Sequence, residues 1–232
     1  MHQHEHATHG VEIEPGTPAW SEWVKDYYRD VETYDWVDVA DNIRGLEAFF
    51  HRNRAWVVRK MVAKYATPNA PILDAGCGTG LCGEHFKPFA RRLVGVDLSL
   101  EMLKRAGVRK LYDELIMGEL TAFVGAVPAA WDLIVSADTL VYFGDLAAAM
   151  AAAYRGLRPG GSVVFTLERA SEDEAPQGFR INPHGRYSHT ESYARRVLSA
   201  AGLAPRQLTH VHLRLELKKP VEGLLVVASR RA

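Results

Sequence analysis

The sequence has 232 residues, 47% of them hydrophobic and 24% charged. These values are typical of a globular protein, and the length suits one domain with an N-terminal extension. The 28 Lys and Arg residues balance the 28 Asp and Glu residues, and the lack of a basic excess disfavours a nucleic-acid-binding protein. The two cysteines, Cys77 and Cys82, form neither a disulfide framework nor a zinc site. This cysteine usage indicates a cytoplasmic setting.

The N-terminal part of the chain divides into two predicted segments. Residues 1–16 are predicted to form a disordered, His-rich leader, with metal capture as the alternative role of its histidines. This segment lacks the apolar run of a signal peptide, and the chain has no stretch suited to a membrane span. Residues 17–68 are predicted to form a helical cap. Its first helix begins after Thr17-Pro18, and its second runs from near Asp41 to Pro68.

From residue 69 onwards, short apolar runs alternate with helical segments, which predicts βαβ units and a parallel sheet. The predicted strands are Pro71–Ala75, Arg92–Asp97, Glu114–Met117, Trp131–Ser136 and Ser162–Leu167. The predicted helices between them are Cys82–Phe89, Ser99–Ala106 and Asp145–Leu157. The last of these helices is alanine-rich and ends before Pro159-Gly160-Gly161.

The C-terminal part of the sequence predicts an antiparallel edge on this sheet. A polar stretch from Glu168 to His189 shows no regular pattern. A helix is then expected over Thr190–Ala201, followed by strands near Gln207–Leu217 and Gly223–Ser229. The short connection between these two strands suits an antiparallel pair. Together the elements predict an α/β fold with a mostly parallel, seven-stranded sheet.

The segment with the most chemical information follows the first predicted strand. There the chain places glycines at 76, 78 and 80, and glycine allows a sharp turn and the close approach of a ligand to the backbone. At the carboxyl end of a parallel strand, such a loop lines a cofactor crevice. A dinucleotide fingerprint requires a small residue where this chain has Leu81. This mismatch disfavours a nicotinamide-dependent oxidoreductase.

The pattern from Asp74 to Gly80 resembles motif I of class I S-adenosylmethionine (SAM)-dependent methyltransferases. The resemblance implies a Rossmann-like fold for residues 69–232, with SAM as the cofactor. It also implies that Asp74 helps to hold the methionine end of SAM. The backbone contacts to SAM are then expected from Gly76, Cys77, Gly78 and Gly80.

Further matches to this family follow in the expected order. Asp97 ends the second strand and is expected to bind both ribose hydroxyls, with Leu98 and Met102 bordering the adenine. Glu119 is the candidate for the adenine amino group, with Leu120 beside it, although the family more often has aspartate there. The residues expected beneath the ligand after the fourth strand are Ser136 and Ala137.

Each of these matches also has a structural interpretation. Asp97 could cap the next helix, Glu119 could be solvated, and Pro159-Gly160-Gly161 could be an ordinary turn. The resemblance extends over residues 72–168 and, more loosely, over residues 190–230. Three segments also resemble bacterial predicted methyltransferases associated with tetratricopeptide repeats, although the sequence contains no such repeat: Leu111–Leu115, Tyr142–Leu146 and Gly185–His189.

The predicted activity is methyl transfer from SAM to an oxygen, nitrogen or sulfur atom of a small molecule. Positioning alone contributes about 7–11 kcal/mol to such reactions, and a general base adds roughly 10²–10⁴-fold where the acceptor must lose a proton. His184 and His189 are the candidate bases. Tyr142 is a third catalytic candidate, and Asp138 and Thr139 are candidate acceptor contacts.

Aromatic residues of the N-terminal cap are candidates for covering the sulfonium, because aromatic faces attract cations. They are Tyr27, Tyr28, Tyr34 and Trp36. The alternative for these aromatic residues is packing in the core. The alternative for the two histidines is a plain surface position, and for Asp138 it is the capping of a turn. Two other function classes remain at this point: a SAM-fold protein without catalysis and, less favoured, the oxidoreductase. The oligomeric state is left open.

Overall fold

The computed structural model describes residues 58–216 and 219–232. Within these residues nine strands form one sheet, in which β3, β2, β1, β4 and β5 are parallel neighbours. The antiparallel strand β9 follows β5, and β8 pairs with β9. The strands are β1 (Ala70–Ala75), β2 (Ala90–Asp97), β3 (Glu114–Met117), β4 (Trp131–Ser136), β5 (Leu157–Arg169), β6 (Phe179–Ile181), β7 (Tyr187–His189), β8 (Leu203–Glu216) and β9 (Lys219–Arg230).

Helices lie between most of the parallel strands. The first, α1, is described over residues 58–65. The others are α2 (Gly83–Phe86), α3 (Leu100–Val108), α4 (Leu120–Ala126), α5 (Ala147–Gly156) and α6 (Glu191–Ala200), with short 3-10 turns at Lys87–Phe89 and Leu140–Tyr142. None of the helices among the described residues could span a membrane.

Both faces of the sheet are buried, which is why its central strands are nearly continuous apolar runs. Side chains alternate between the faces: Leu73 belongs to the core beneath α4, α5 and α6, whereas Ile72 belongs to the core beneath α1 and α2. In β4, Ile134 joins the first core and Leu133 joins the second. The sheet is therefore held from both sides, and its carboxyl edge is left for a ligand.

The main sequence predictions of the fold are confirmed. The sheet is mostly parallel with an antiparallel edge, and its strands other than β6 and β7 correspond to the seven predicted ones. The bounds of β3 and β4 agree with the prediction residue for residue. The helix predicted over Cys82–Phe89 is shorter, because the chain changes to a 3-10 turn at Lys87. Pro88 has no N–H to continue the α-helical hydrogen bonds.

Three local predictions were wrong or incomplete. Residues 169–189 contain the β6–β7 hairpin, which brings the strand number from seven to nine. Pro159-Gly160-Gly161 lies within β5 as an irregular segment, where the register with β4 shifts, rather than ending α5 as a free turn. The helix α4 was not predicted, because its sequence is short and mostly small or apolar residues.

The strand order places a crevice at the carboxyl end of β1. β1 pairs with β2 on one side and with β4 on the other, so the connections from these strands leave in opposite directions. Ligands of open α/β sheets bind at this switch point. The predicted His-rich leader and nearly all of the predicted N-terminal cap lie outside the described residues. The segment 58–65 is helical and ends before Pro68, as expected.

Candidate active site

The Gly-rich loop leaves β1 in a conformation that favours glycine. Gly76, Gly78 and Gly80 all have positive φ angles, of 81°, 52° and 80°. The N–H groups of Gly76 and Cys77 donate to the Val96 carbonyl at 2.8 and 3.1 Å, so the loop is fastened to β2. A Cβ atom at Gly76 would lie 2.2 Å from Thr139 Oγ1. The first glycine is thus required by both its backbone conformation and its neighbour.

Asp74 lies at the end of β1 and is almost fully buried, with 1% of its surface exposed. Its Oδ2 accepts a hydrogen bond of 2.6 Å from the Tyr112 hydroxyl. Burial raises the pKa of Asp74 to about 7, against the lowering effect of the Tyr112 hydrogen bond and with a smaller contribution from the charge of Asp97. The carboxyl group therefore changes its charge near neutral pH.

Asp97 ends β2 and faces the loop. Its Oδ2 accepts from the Gly78 N–H at 2.8 Å, and its Oδ1 accepts from the Ser99 N–H at 2.9 Å. Burial raises its pKa, and these backbone donors oppose that shift. The cap of α3 is supplied by Ser99 instead, whose hydroxyl accepts from Met102 N. The structure thus places Asp97 beside the predicted cofactor loop, where each carboxylate oxygen has a further lone pair.

Glu119 has a structural task in addition to any contact with a ligand. It is the N-cap of α4, and its two carboxylate oxygens accept from Thr121 N at 2.8 Å and Ala122 N at 2.6 Å. An acid at a helix N-terminus is stabilised by the orphan N–H groups there. The neighbouring Leu120 is partly buried against the core. The binding of adenine by Glu119 remains a prediction.

Two observations indicate that the residues at this edge fit a SAM molecule. A Cβ atom at Gly78 would meet nothing within 4 Å, so the described residues leave open space where the loop meets Asp97. At the end of β4, Ser136 Oγ is buried and has no hydrogen-bond partner among the described residues. A buried hydroxyl without a partner is costly and calls for an explanation such as a ligand. The described residues contain no cluster suited to a metal ion.

The segment after β4 joins the loop to a second group of residues. Thr139 Oγ1 donates to the Gly76 carbonyl at 3.1 Å. Asp138 has a φ of 60°, which is uncommon for a residue with a side chain. Its N–H donates to Thr166 Oγ1 at 2.8 Å, which fixes the segment to β5. Strained positions of this kind concentrate at functional sites.

A buried ion network lies beyond Asp138. Arg214 of β8 donates from Nη1 to Asp138 Oδ1 at 3.1 Å and from Nη2 to Glu168 Oε1 at the end of β5. The side chains of Arg214 and Glu168 are only 7% and 2% exposed. A buried pair of this kind is costly to form and more costly to break. Sequence reasoning missed both residues. The one available signal was an acid in the otherwise apolar run that ends at Glu168.

His184 and Tyr142 lie at the border of this network. His184 Nε2 is 3.7 Å from Glu168 Oε2, and one third of its side chain is exposed. Tyr142 receives a hydrogen bond of 3.3 Å from Arg186 Nε at its hydroxyl, and the guanidinium of Arg186 lies 5.9 Å from its ring centroid. The structure therefore brings these two catalytic candidates to the carboxyl side of β4 and β5.

His189 is placed differently from the other catalytic candidates. It is fully buried, its Nε2 is 2.9 Å from the Gly144 carbonyl, and its ring stacks on Tyr193. Burial lowers its pKa to about 4, against the raising effect of its hydrogen bonds to backbone carbonyls. A carbonyl only accepts, so Nε2 carries the proton and donates it. This placement suits the packing of the β6–β7 hairpin rather than proton exchange with a bound acceptor.

The remaining candidates divide into two groups. Cys77 is buried, and burial raises the pKa of its thiol, so its side chain is inert. Leu98, Met102 and Ala137 lie around the same carboxyl edge, where Met102 is buried and the other two are half-buried. The aromatic residues expected to cover the sulfonium, Tyr27, Tyr28, Tyr34 and Trp36, lie outside the described residues.

Tyr112 was missed as a site residue, because its contact with Asp74 spans 38 residues.

The fold and the loop are those of a known class of protein. A parallel sheet of this order, with a Gly-rich turn after β1 and an acid after β2, is the Rossmann-like fold of class I SAM-dependent methyltransferases. Residues 73–165 match the family model described as "Methyltransferase domain". Residues 73–165 therefore resemble a methyltransferase domain, and solved structures of similar fold hold bound SAH or SAM.

Similar proteins support the same class. Two malonyl-[acyl-carrier protein] O-methyltransferases, from Yersinia pestis and Serratia marcescens, are 33% and 35% identical over 110 and 108 residues. These alignments cover 47% and 46% of this chain and only 41% and 42% of the relatives. The chain thus matches about two fifths of their length. The crystal structure of magnesium protoporphyrin IX methyltransferase from Synechocystis PCC 6803 with bound SAH superposes with a TM-score of 0.70 at 13% identity, over 90% of this chain and 99% of that one.

Proposed function

We propose that this chain is a SAM-dependent methyltransferase that transfers a methyl group to a small-molecule acceptor. The observation that carries the proposal is the position of Asp97. Its carboxylate is fastened to the Gly78 N–H at the carboxyl end of the sheet, beside the space that Gly78 leaves open. An acid in this place can accept the two ribose hydroxyls of an adenosine. The match of residues 73–165 to the methyltransferase domain model supports the same assignment.

SAM supplies a methyl group on a positively charged sulfur, and this carbon is already activated for displacement. The chain's contribution is to hold both reactants in line and to exclude water, which is worth about 7–11 kcal/mol when the geometry is good. Asp97 and the loop would hold the adenosine, and Asp74 would hold the methionine end. The strained backbone at Asp138 and the bond from Thr139 to the Gly76 carbonyl tie the acceptor side to this loop.

An oxygen atom is the acceptor that we place first, ahead of nitrogen and sulfur. Each of the two curated relatives above is named as an O-methyltransferase of malonyl-[acyl-carrier protein]. A small acceptor, either free or linked to a carrier, would then approach from the side of Asp138 and His184. Where the acceptor must lose a proton, His184 is the candidate base, since its side chain is partly exposed and contacts Glu168.

The non-catalytic alternative uses the same cofactor residues, so binding alone cannot exclude it. Calorimetric titration with SAM, SAH and NAD, followed by a methyl-transfer assay on a panel of acceptors, separates the function classes. We expect binding of SAM and SAH, no binding of NAD, and transfer to at least one oxygen acceptor. Binding of SAM without any transfer would favour the non-catalytic protein, and binding of NAD alone would favour the oxidoreductase.

A substitution of Asp97 tests the cofactor site itself. Asp97→Ala leaves part-buried N–H groups and the ribose without their acceptor. We expect SAM binding to weaken by about 1–3 kcal/mol. The matched control is Asp132→Ala, at the opposite end of the sheet, where the carboxylate binds Arg158. The control should bind SAM as the wild type does. Unchanged SAM affinity in Asp97→Ala would remove this residue from the site.

A further inference from the structure

The side chain of Tyr112 lies beneath the Gly-rich loop and is enclosed by glycines of three elements. A Cβ atom at Gly83, the first residue of α2, would be 2.7 Å from the Tyr112 hydroxyl. A Cβ at Gly80 of the loop would be 3.0 Å from Cε2, and one at Gly95 of β2 would be 3.0 Å from Cδ1. The first of these contacts is shorter than real Cβ atoms make, and the other two are tighter than most of theirs. The three glycines thus make room for one particular ring.

The hydroxyl of this ring points at the buried carboxylate of Asp74, at the end of β1. Its hydrogen bond to Asp74 Oδ2 is 2.6 Å long. Among the described residues, the Tyr112 hydroxyl is the one hydrogen-bond donor to this carboxylate. A buried carboxylate without a donor would bear the full cost of its lost hydration. The ring is fixed by packing and the carboxylate is fixed by the ring. The orientation of Asp74 therefore depends on Tyr112.

We propose that Tyr112 is a positioning residue for the cofactor, which holds the Asp74 carboxylate towards the methionine end of SAM. This inference rests on the proposed function, because it assigns a role in binding SAM. Tyr112 acts through Asp74 and not by touching the cofactor. The bond from Tyr112 also favours the ionised form of Asp74, which is the form that attracts the cationic amino group of the ligand.

The charges around Asp74 determine how SAM affinity should depend on pH. The described titratable groups that face it are Tyr112, Asp97 and Cys77, and Cys82 lies beside Tyr112. Burial raises the pKa of Asp74 to about 7, and the Tyr112 bond lowers it. SAM affinity should therefore rise as the pH rises through about 7. The amino group of the ligand, with a pKa of about 8, ends this rise at higher pH in every variant.

The experiment is a calorimetric titration with SAM at a series of pH values. Tyr112→Phe keeps the ring and removes the hydroxyl. We expect its affinity at neutral pH to fall about fivefold, and the acidic limb of the profile to move upwards by about one pH unit. Tyr193→Phe is the matched control, since the Tyr193 hydroxyl donates to Asp145 Oδ1 at 2.8 Å far from the loop. Its profile should coincide with that of the wild type.

A second variant reaches the same bond without changing the tyrosine. Gly83→Ala pushes a methyl group into the Tyr112 hydroxyl, whereas alanine is otherwise favoured over glycine in a helix. It should move the acidic limb in the same direction as Tyr112→Phe. Gly107→Ala in α3 is the control, because its Cβ would have only an ordinary contact of 3.7 Å with Leu115. This pair decides the question where Tyr112→Phe does not fold.

The outcomes separate this inference from the proposed function. If the wild type does not bind SAM, the proposed function fails and the role of Tyr112 fails with it. If the wild type binds SAM but both variants keep its pH profile, the positioning role is overturned while the proposed function stands. A loss of affinity that is equal at every pH also overturns it, because a purely structural role would produce that result. Only the shifted acidic limb supports the inference.

Discussion

The two halves of the sheet build their sites in different ways. In the cofactor half, residues 70–117, Asp97 receives the N–H groups of Gly78 and Ser99, which lie 19 and 2 residues away in the chain. In residues 131–230, which we propose face the acceptor and call the acceptor half, Arg214 joins Asp138 and Glu168 across 76 and 46 residues. The contacts of Asp97 are made by backbone groups within 19 residues of it. The contacts of Arg214 are made by side chains that only the complete fold brings together.

This difference explains what the sequence comparisons detect. The family model covers residues 73–165, which include the loop, both acids and most of the central strands. It ends before Glu168 and Arg214. A backbone cradle depends on a few glycines and one acid, so it leaves a recognisable pattern. A side-chain network can change with the acceptor while the fold is kept.

The largest effect that tests this comparison is expected from Arg214→Met. Methionine retains much of the length of arginine but leaves Glu168 buried without its cation. We expect the free energy of unfolding to fall by about 4 kcal/mol, as for other broken buried pairs, while SAM affinity changes less than about twofold. Urea unfolding and calorimetry measure the two quantities.

The double variant Arg214→Met with Glu168→Gln is the control for the cost of the uncompensated charge. It should be more stable than Arg214→Met alone, because the buried side chain at position 168 then carries no charge. If the single variant lost less than about 1 kcal/mol of stability, the Arg214–Glu168 pair would not be a buried ion pair that the fold depends on. A large loss of SAM affinity in a folded variant would show that the two halves are coupled.

The next prediction concerns the dependence of stability on pH, to which His189 in the acceptor half and Asp74 in the cofactor half should contribute in opposite directions. Burial lowers the pKa of His189 from 6.5 to about 4. At pH above 6.5 the ring is neutral in both states, and its contribution to stability is complete. As the pH falls from 6.5 to 4, the unfolded chain binds a proton that the native chain does not. Stability is therefore lost over this range, by about 3 kcal/mol.

Burial has the opposite consequence at Asp74, where it raises a pKa rather than lowering one. Between its unfolded value of 3.8 and about 7, the native chain holds the additional proton, so stability is lost as the pH rises.

Urea unfolding of His189→Gln at several pH values isolates the contribution of the histidine. The variant should lack the acid-dependent loss, and His210→Gln, at an exposed position, should retain it. An equal loss in wild type and His189→Gln would contradict the prediction.

How much was predictable from sequence follows the same division. The strands of the cofactor half, the positions of Gly76 and Asp97, and the class of cofactor follow from local patterns. The contact between Tyr112 and Asp74 could not be predicted, because it joins side chains 38 residues apart. His189 was predicted as a base from its residue type, and only the fold shows that its ring is buried against Tyr193.

The hairpin β6–β7 was missed for a similar physical reason. Phe179–Ile181 and Tyr187–His189 have three residues each, which is too short for a period-two pattern to be recognised. Their pairing depends on the packing of Phe179 against Tyr187 and Tyr193. In the acceptor half, therefore, tertiary contacts determine local structure, whereas in the cofactor half local structure determines the loop and Asp97, and a tertiary contact is needed only for Asp74.

The smallest effect compares one glycine from each half at the same backbone angle. Gly76 and Gly160 both have a φ of 81°, but a Cβ at Gly76 would lie 2.2 Å from Thr139 Oγ1 and one at Gly160 would meet nothing within 4 Å. Gly160→Ala should lower the free energy of unfolding by about 1 kcal/mol, which is the cost of a left-handed backbone conformation for a residue with a side chain. Gly76→Ala should cost about 2 kcal/mol more, because Thr139 must also move. Urea unfolding of both variants measures the difference, and equal losses would mean that Thr139 yields freely and that the loop is not fixed from the acceptor side.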